Sequence, residues 1–137
     1  MINFKGKKIL ITGATGGIGN ALVKKFLLLE GTVLATGTNS EKLDALKKEF
    51  PNISVLKFDI SEHSKIEEFI ENANSQLVGL DILVNNAGIT MDNLSLKMKD
   101  EEWRKVIDIN LTSTFYLCKH AIKKMLRNKY GRIVNIT

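Results

Sequence analysis

The stretch Lys8-Ile9-Leu10-Ile11-Thr12-Gly13-Ala14-Thr15-Gly16-Gly17-Ile18-Gly19 decides how the rest of the chain reads. Ile9 to Ile11 form the short apolar, β-branched run expected of a strand covered on both faces. Beyond Gly19, the apolar residues Ala21, Leu22, Phe26 and Leu29 recur at helical spacing, with Ile18 leading them in. Between strand and helix, Gly13, Gly16, Gly17 and Gly19 leave the backbone bare and free to adopt positive φ. A helix entered through such a turn presents unpaired N–H groups and the positive end of its dipole, and both attract phosphate. This density of glycine between a strand and a helix argues for an anion-binding turn over an ordinary loop.

Working outward, the first helix is expected from Gly17 to Glu30, with Gly31 as its C-terminal cap. Thr32 to Thr36 reads as a second strand, after which Asn39 or Ser40 caps a helix that buries Leu43, Leu46 and Phe50 and ends at Pro51. A third strand runs from Ile53 to Phe58 and closes at Asp59, and Ser61 is expected to cap a helix carrying Ile66, Phe69, Ile70 and Ala73 on one face. Asp81 to Val84 is a fourth strand, followed by Asn85-Asn86-Ala87-Gly88. The acidic turn Asp100-Glu101-Glu102 suits the start of one long helix to Asn128, with Val106, Ile107, Leu111, Phe115, Cys118, Ile122 and Met125 as its apolar stripe. Arg132 to Ile136 is a fifth strand. Strict strand–helix alternation predicts an α/β fold, a doubly wound parallel sheet with right-handed crossovers. Ligands in such sheets bind beyond the carboxyl ends of the strands, which singles out Gly13–Gly19, Gly37–Ser40, Asp59–Ile60 and Asn85–Ile89.

Composition narrows the function classes. The 137 residues fit one domain, and the +5 charge is carried mostly by lysines interspersed with acids along helices. Arg104, Arg127 and Arg132 are the only arginines, so the concentrated basic patch of a nucleic-acid binder is not expected. Cys118, the only cysteine, permits no internal disulfide and reads as a small core residue. No apolar run approaches the roughly 20 residues that span a bilayer, and Met1 to Lys5 lack a signal-peptide apolar region; a cytoplasmic protein is expected. His63 and His120 have no partners at metal-ligand spacing, so no metal site is expected.

Two strand-end loops refine the ligand. An acidic residue about 20 positions beyond the glycine turn would receive the ribose hydroxyls of NAD. Here the region is Gly37-Thr38-Asn39-Ser40, without an acid until Glu41 and with Lys42 close by, which favours NADP because no carboxylate repels a 2′-phosphate. In Asn85-Asn86-Ala87-Gly88, small residues allow a flat ligand to approach the backbone, and the asparagine amides can hold the strand end by hydrogen bonds.

The pattern Thr12-Gly13-x-x-x-Gly17-x-Gly19, together with Asn85-Asn86-Ala87-Gly88, resembles the short-chain dehydrogenase/reductases, and the resemblance runs essentially the whole length of the chain. It implies a Rossmann-type sheet of order 3-2-1-4-5, truncated after the fifth strand, so that residues 1–137 form an NAD(P)-binding domain incomplete at its C-terminus. It implies a cofactor site at Gly13, Ala14, Thr15, Gly16, Gly17, Ile18, Gly19, Thr38, Asp59, Ile60, Asn86, Ala87 and Gly88, with Asp59 meeting the adenine and the glycine turn cradling the pyrophosphate of NADPH. Asn110, within Asp108-Ile109-Asn110-Leu111, matches the supporting asparagine of the family's catalytic tetrad. Asn86 to Leu94, Lys97 to Trp103 and Lys129 to Ile136 are similar to the branch of the family that reduces β-ketoacyl thioesters on acyl carrier protein with NADPH in fatty-acid elongation. That branch implies an acidic carrier-protein partner, with Arg127 and Lys129 as candidate contacts, and a homotetramer at full length.

The chain departs from the family at its end. A serine follows the fifth strand in these enzymes and a Tyr-x-x-x-Lys pair lies further on; the sequence stops at Thr137 before either. Tyr116 has His120 four residues on, and Tyr130 precedes a Gly-Arg turn, so neither substitutes. The chain by itself is therefore expected to be inactive, and its fifth strand to form an apolar edge that favours marginal stability or aggregation. The alternatives are another short-chain reductase acting on a sugar, a steroid or an acyl-CoA, or a non-catalytic dinucleotide-binding fragment. The stretch Thr90 to Trp103 argues against the first of these.

Overall fold

Each apolar run of the sequence becomes a strand in the computed structural model, which describes all 137 residues. The strands are β1 (Lys8–Ile11), β2 (Thr32–Gly37), β3 (Ser54–Lys57), β4 (Ile82–Asn85) and β5 (Arg132–Asn135). They pair in parallel in the order β3-β2-β1-β4-β5. β1 sits at the centre, with Leu10 level with Leu34 on one side and Leu83 on the other. Ile9, Leu10 and Ile11 are fully buried because helices cover both faces of the sheet.

The period-two alternation divides the core. Ile9, Ile11, Val33, Ala35 and Val84 pack against Val23 of α1 (Gly17–Leu28) and Leu46 of α2 (Ser40–Glu49). Leu10, Leu34 and Leu83 pack on the other face against Phe69 and Ile70 of α3 (Ile66–Leu77) and Leu117 and Ala121 of α5 (Ser113–Arg127). The strand order reverses between β1 and β4, so the loops after these two strands diverge to opposite faces and open a crevice at the carboxyl edge.

Four local expectations change. The left-handed residue at the end of α1 is Glu30 (φ 65), not Gly31. Glu30 N–H donates to Leu27 O at 3.0 Å and Gly31 N–H to Phe26 O at 2.9 Å, a Schellman closure with glycine one place later than expected. Gly31 is there for packing: an added Cβ would lie 2.5 Å from Ile9 Cδ1. Ser61 caps no helix; its hydroxyl donates to Asp59 Oδ1 (2.7 Å), and a 3₁₀ turn at His63–Lys65 leads into α3. Asn39, by contrast, caps α2 as expected, accepting from Lys42 N–H at 3.0 Å.

The third change is the largest. The long helix is α4 (Asp100–Ile107) and α5 joined by a π turn at Asp108–Thr112. A wide turn adds about one residue and rotates the following face by roughly 100°. The buried stripe of α5 is accordingly Ser113, Leu117, Ala121 and Met125, while Leu111, Phe115 and Ile122 of the expected stripe are exposed, Phe115 by 61%. Cys118 is shifted off the stripe too and is only half-buried. β5 is a sheet edge, with Val134 on its exposed side.

α3 and α5 are also joined by charge. Lys124, buried on α5, pairs with Glu71, and Lys123 pairs with Glu67 at 3.1 Å. His120 Nδ1 lies 3.6 Å from Glu67, yet burial outweighs that attraction, and Lys123 and Lys119 add to it, so its pKa is held below the ordinary imidazole value. The unfolded chain then takes up the proton at a higher pH than the folded one. The stability that this neutral histidine contributes is complete above the ordinary imidazole pKa and is lost as pH falls through the lowered one. Glu67, held below the usual carboxylate range by Lys123, acts in the same direction at lower pH. Thermal unfolding between pH 7 and pH 5 is expected to show a falling midpoint, and His120→Gln to flatten that slope.

Candidate functional site

At the carboxyl end of β1, Gly13 turns the chain with φ 60, a conformation that favours glycine. Gly16, Gly17 and Gly19 do not have positive φ, so the freedom expected of all four glycines is used at one. Gly19 is needed for contact instead: a Cβ there would lie 2.1 Å from Gly13 O and 2.6 Å from Ala14 Cα, so α1 is seated directly on the turn. Within the turn, Ala14 N–H donates to Thr36 O (3.0 Å) and Gly16 N–H to Gly13 O (3.3 Å). The N–H groups of Thr15, Gly17, Ile18 and Gly19 have no protein acceptor, and no acidic residue stands in the first turn of α1. Four free donors at a helix N-terminus are what an anion requires.

The loop after β4 is stitched to this turn. Thr12, 1% exposed, accepts at its hydroxyl from Asn86 N–H (3.1 Å) and Ala87 N–H (3.0 Å). Asn86 Nδ2 donates in return to Gly13 O (3.0 Å) and Thr12 O (3.3 Å). Asn85, one residue earlier, points under the sheet edge and donates to Asn135 Oδ1 at 2.8 Å and to Cys118 Sγ at 3.3 Å.

The π turn holds the far side. Asn110 uses both ends of its amide on one residue: Oδ1 accepts from Ile89 N–H and Nδ2 donates to Ile89 O, each at 2.8 Å. Gly88 lies against this clamp, where a Cβ would come 3.1 Å from Asn110 Oδ1. Ser113 ties the turn to the loop after β3 by donating to Ile60 O at 2.7 Å, and His63 Nε2 stands 3.0 Å from Ser113 Oγ and 3.2 Å from Asp108 O. Asp108 O also accepts the wide turn's own hydrogen bond from Ser113 N–H, so these side chains brace a carbonyl already paired within the turn.

These elements enclose a cleft of about 460 Å³. Of the residues expected to bind a cofactor, Gly13, Thr15, Thr38, Asp59, Ile60, Ala87 and Gly88 line it. Ala14 is fully buried within the turn, and Gly16, Gly17 and Gly19 do not line the cleft. Ile18 and Asn86 open instead on an adjoining groove of about 660 Å³ shared with Asn110, Thr90 and Asn135. Asp59 Oδ1 is taken by Ser61 N–H and hydroxyl (2.9 and 2.7 Å), and Oδ2 remains free at the cleft. Thr12 and Ile89, within the stretches that the sequence singled out, also line the cleft, as do Thr36, Phe58, Ser61, Lys105 and Ile109, which were missed in the sequence. Nothing in the spacing marks Lys105. Arg127 and Lys129 stand at the C-terminal end of α5, one helix length or about 22 Å from the carboxyl edge of the sheet.

A family model described as short chain dehydrogenase matches residues 7–137. The chain belongs to this family. The 3-oxoacyl-[acyl-carrier-protein] reductase FabG of Rickettsia conorii is 46% identical over 138 residues, spanning 100% of this chain and 56% of that protein. The protein of the same name from Escherichia coli is 38% identical over 136 residues, spanning 98% and 56%. The chain therefore spans about half the length of the curated relatives it matches. In fold it superposes on a short-chain type dehydrogenase/reductase from Mycobacterium ulcerans with a TM-score of 0.93 at 24% identity, covering 99% of this chain and 52% of that one. A short-chain dehydrogenase is an oxidoreductase that works with a nicotinamide dinucleotide.

Proposed function

We propose that residues 1–137 form the NADPH-binding domain of a cytoplasmic 3-oxoacyl-[acyl-carrier-protein] reductase, which reduces the keto group of an acyl thioester to a hydroxyl. The reading is carried by one observation: Thr15 with its free N–H, Thr38 and Asp59 line a single cleft, and the free N–H groups of Gly17, Ile18 and Gly19 follow Thr15 at the start of α1. The names of the similar reductases supply the substrate class.

The bare backbone fits the cofactor. An added Cβ at Gly17 would meet nothing within 4 Å, so the approach to the donors is unobstructed. In this reading Thr15, Gly17, Ile18 and Gly19 hold the diphosphate by their N–H groups, and Asp59 Oδ2 accepts from the adenine amino group. Thr38 faces the adenosine ribose, and no carboxylate at the end of β2 opposes a 2′-phosphate. Asn86, Ala87 and Gly88 form the floor towards the nicotinamide, and Asn110 fixes that floor by gripping Ile89. The bound dinucleotide supplies a hydride. The alkoxide formed on the substrate then needs a proton donor. Neither Tyr116 nor Tyr130 has a lysine four residues on, so residues 1–137 contain no Tyr-x-x-x-Lys pair for that step. Arg127 and Lys129 remain candidates for the carrier protein, at the far end of α5 from the cleft.

Calorimetric titration of the 137-residue protein is expected to show tighter binding of NADPH than of NADH; the reverse order defeats the 2′-phosphate argument. Mixed with NADPH and a β-ketoacyl thioester, the same protein is expected to consume no NADPH. Steady turnover would mean that the proton donor lies within these residues after all.

A further inference from the structure

We propose that Lys105 of α4 is an affinity determinant for the dinucleotide, facing its diphosphate across the cleft from the glycine turn. The inference rests on the reading that this cleft takes a nicotinamide dinucleotide. Asp59 and Lys105 are the only charged side chains lining it. The turn from Gly13 to Gly19 carries no charged side chain, so there only free N–H groups and the α1 dipole oppose the anion. A helix end is equivalent to about half an elementary charge, which leaves a diphosphate bearing two charges under-neutralised.

Lys105 lines the cleft from the α4 side. Ile109, four residues on, lines the same cleft, so this face of the α4 segment runs along one rim. Ile109 also packs on the α3–α5 side of the core, whereas Thr38 leads into α2 on the other side of the sheet. A cation on the α4 rim is therefore on the side of the sheet away from a ribose phosphate at Thr38. Lys105 is also uncommitted: it takes part in none of the ion pairs of the structure, although Glu101 lies one helical turn before it. Exposed lysines with an acid at that spacing often pair along the helix. Here the ammonium is free for an incoming anion.

The test is titration of the 137-residue protein and its Lys105→Ala, Lys105→Glu and Lys24→Ala variants with NADPH and with NADH, at low and high salt. Lys105 and Lys24 are both exposed, so these substitutions leave the fold intact. Lys105→Ala is expected to weaken both dinucleotides alike by about five-fold at low salt, with Lys105→Glu weaker still and a shallower salt dependence in each. Lys24→Ala is expected to bind as the parent does. Parent-like binding by Lys105→Glu overturns the assignment and leaves the cofactor reading standing. A loss confined to NADPH overturns it by moving the charge to the ribose phosphate. No binding of either dinucleotide by the parent defeats the cofactor reading itself, and this inference with it.

Discussion

Gly19→Ala is expected to destabilise the fold by about 3 kcal/mol or more, at the upper end of what overpacking costs, and to abolish dinucleotide binding. The added methyl would lie 2.1 Å from Gly13 O, 2.6 Å from Ala14 Cα and 2.9 Å from Ala14 C, all backbone atoms. No side chain can swing aside, so either α1 lifts from β1 or the turn opens. Both movements displace the N–H groups of Thr15, Gly17 and Ile18. Gly17→Ala is the matched control, since its methyl would have open space and would remove backbone entropy from the unfolded chain. Urea denaturation of the pair should separate by several kcal/mol, and a Gly19→Ala protein as stable as the parent would refute the packing argument.

Thr12→Val should be nearly as damaging although it changes neither shape nor volume. The hydroxyl is the acceptor for two N–H groups, those of Asn86 and Ala87, at a site 1% exposed to solvent. Valine leaves both half-buried donors without their acceptor, at about 1–3 kcal/mol each, and loosens the β4 loop from the glycine turn. Thr12→Ser keeps the oxygen and should recover most of the loss. The measurement is again denaturant unfolding, with hydrogen exchange at Asn86 and Ala87 reporting the local effect; unchanged protection there in Thr12→Val would count against the account.

Much of this was legible in the sequence. The five strands and the residues at their carboxyl ends follow from short apolar runs separated by helical periods, because burial on both faces of a parallel sheet leaves an unambiguous signature, whereas the strand order came with the family resemblance. Seven of the expected cofactor residues share one cleft for the same reason. What could not be read were departures from ideal geometry. The stripe Leu111-Phe115-Ile122 assumes 3.6 residues per turn throughout, and the π turn breaks that count between Asp108 and Thr112. Gly31 looked like a cap because glycine usually is one, yet the closure used Glu30 and reserved glycine for contact with Ile9. Lys105 reaches the cleft through a tertiary crossing that no local pattern encodes.

The stitching of the β4 loop to the glycine turn bears on how the protein is made. Thr12 and Asn86 are 74 positions apart, and β1 pairs with β2 long before β4 exists on a growing chain. As the N-terminal half emerges from the ribosome it can close β1, β2 and β3 with α1 and α2, leaving one side of β1 and the carbonyls of Thr12 and Gly13 waiting for partners. The glycine turn is thus written first but locked late, when Asn86 arrives. During that interval a central strand edge is open, and the nascent half-sheet is the species that a chaperone would have to shield.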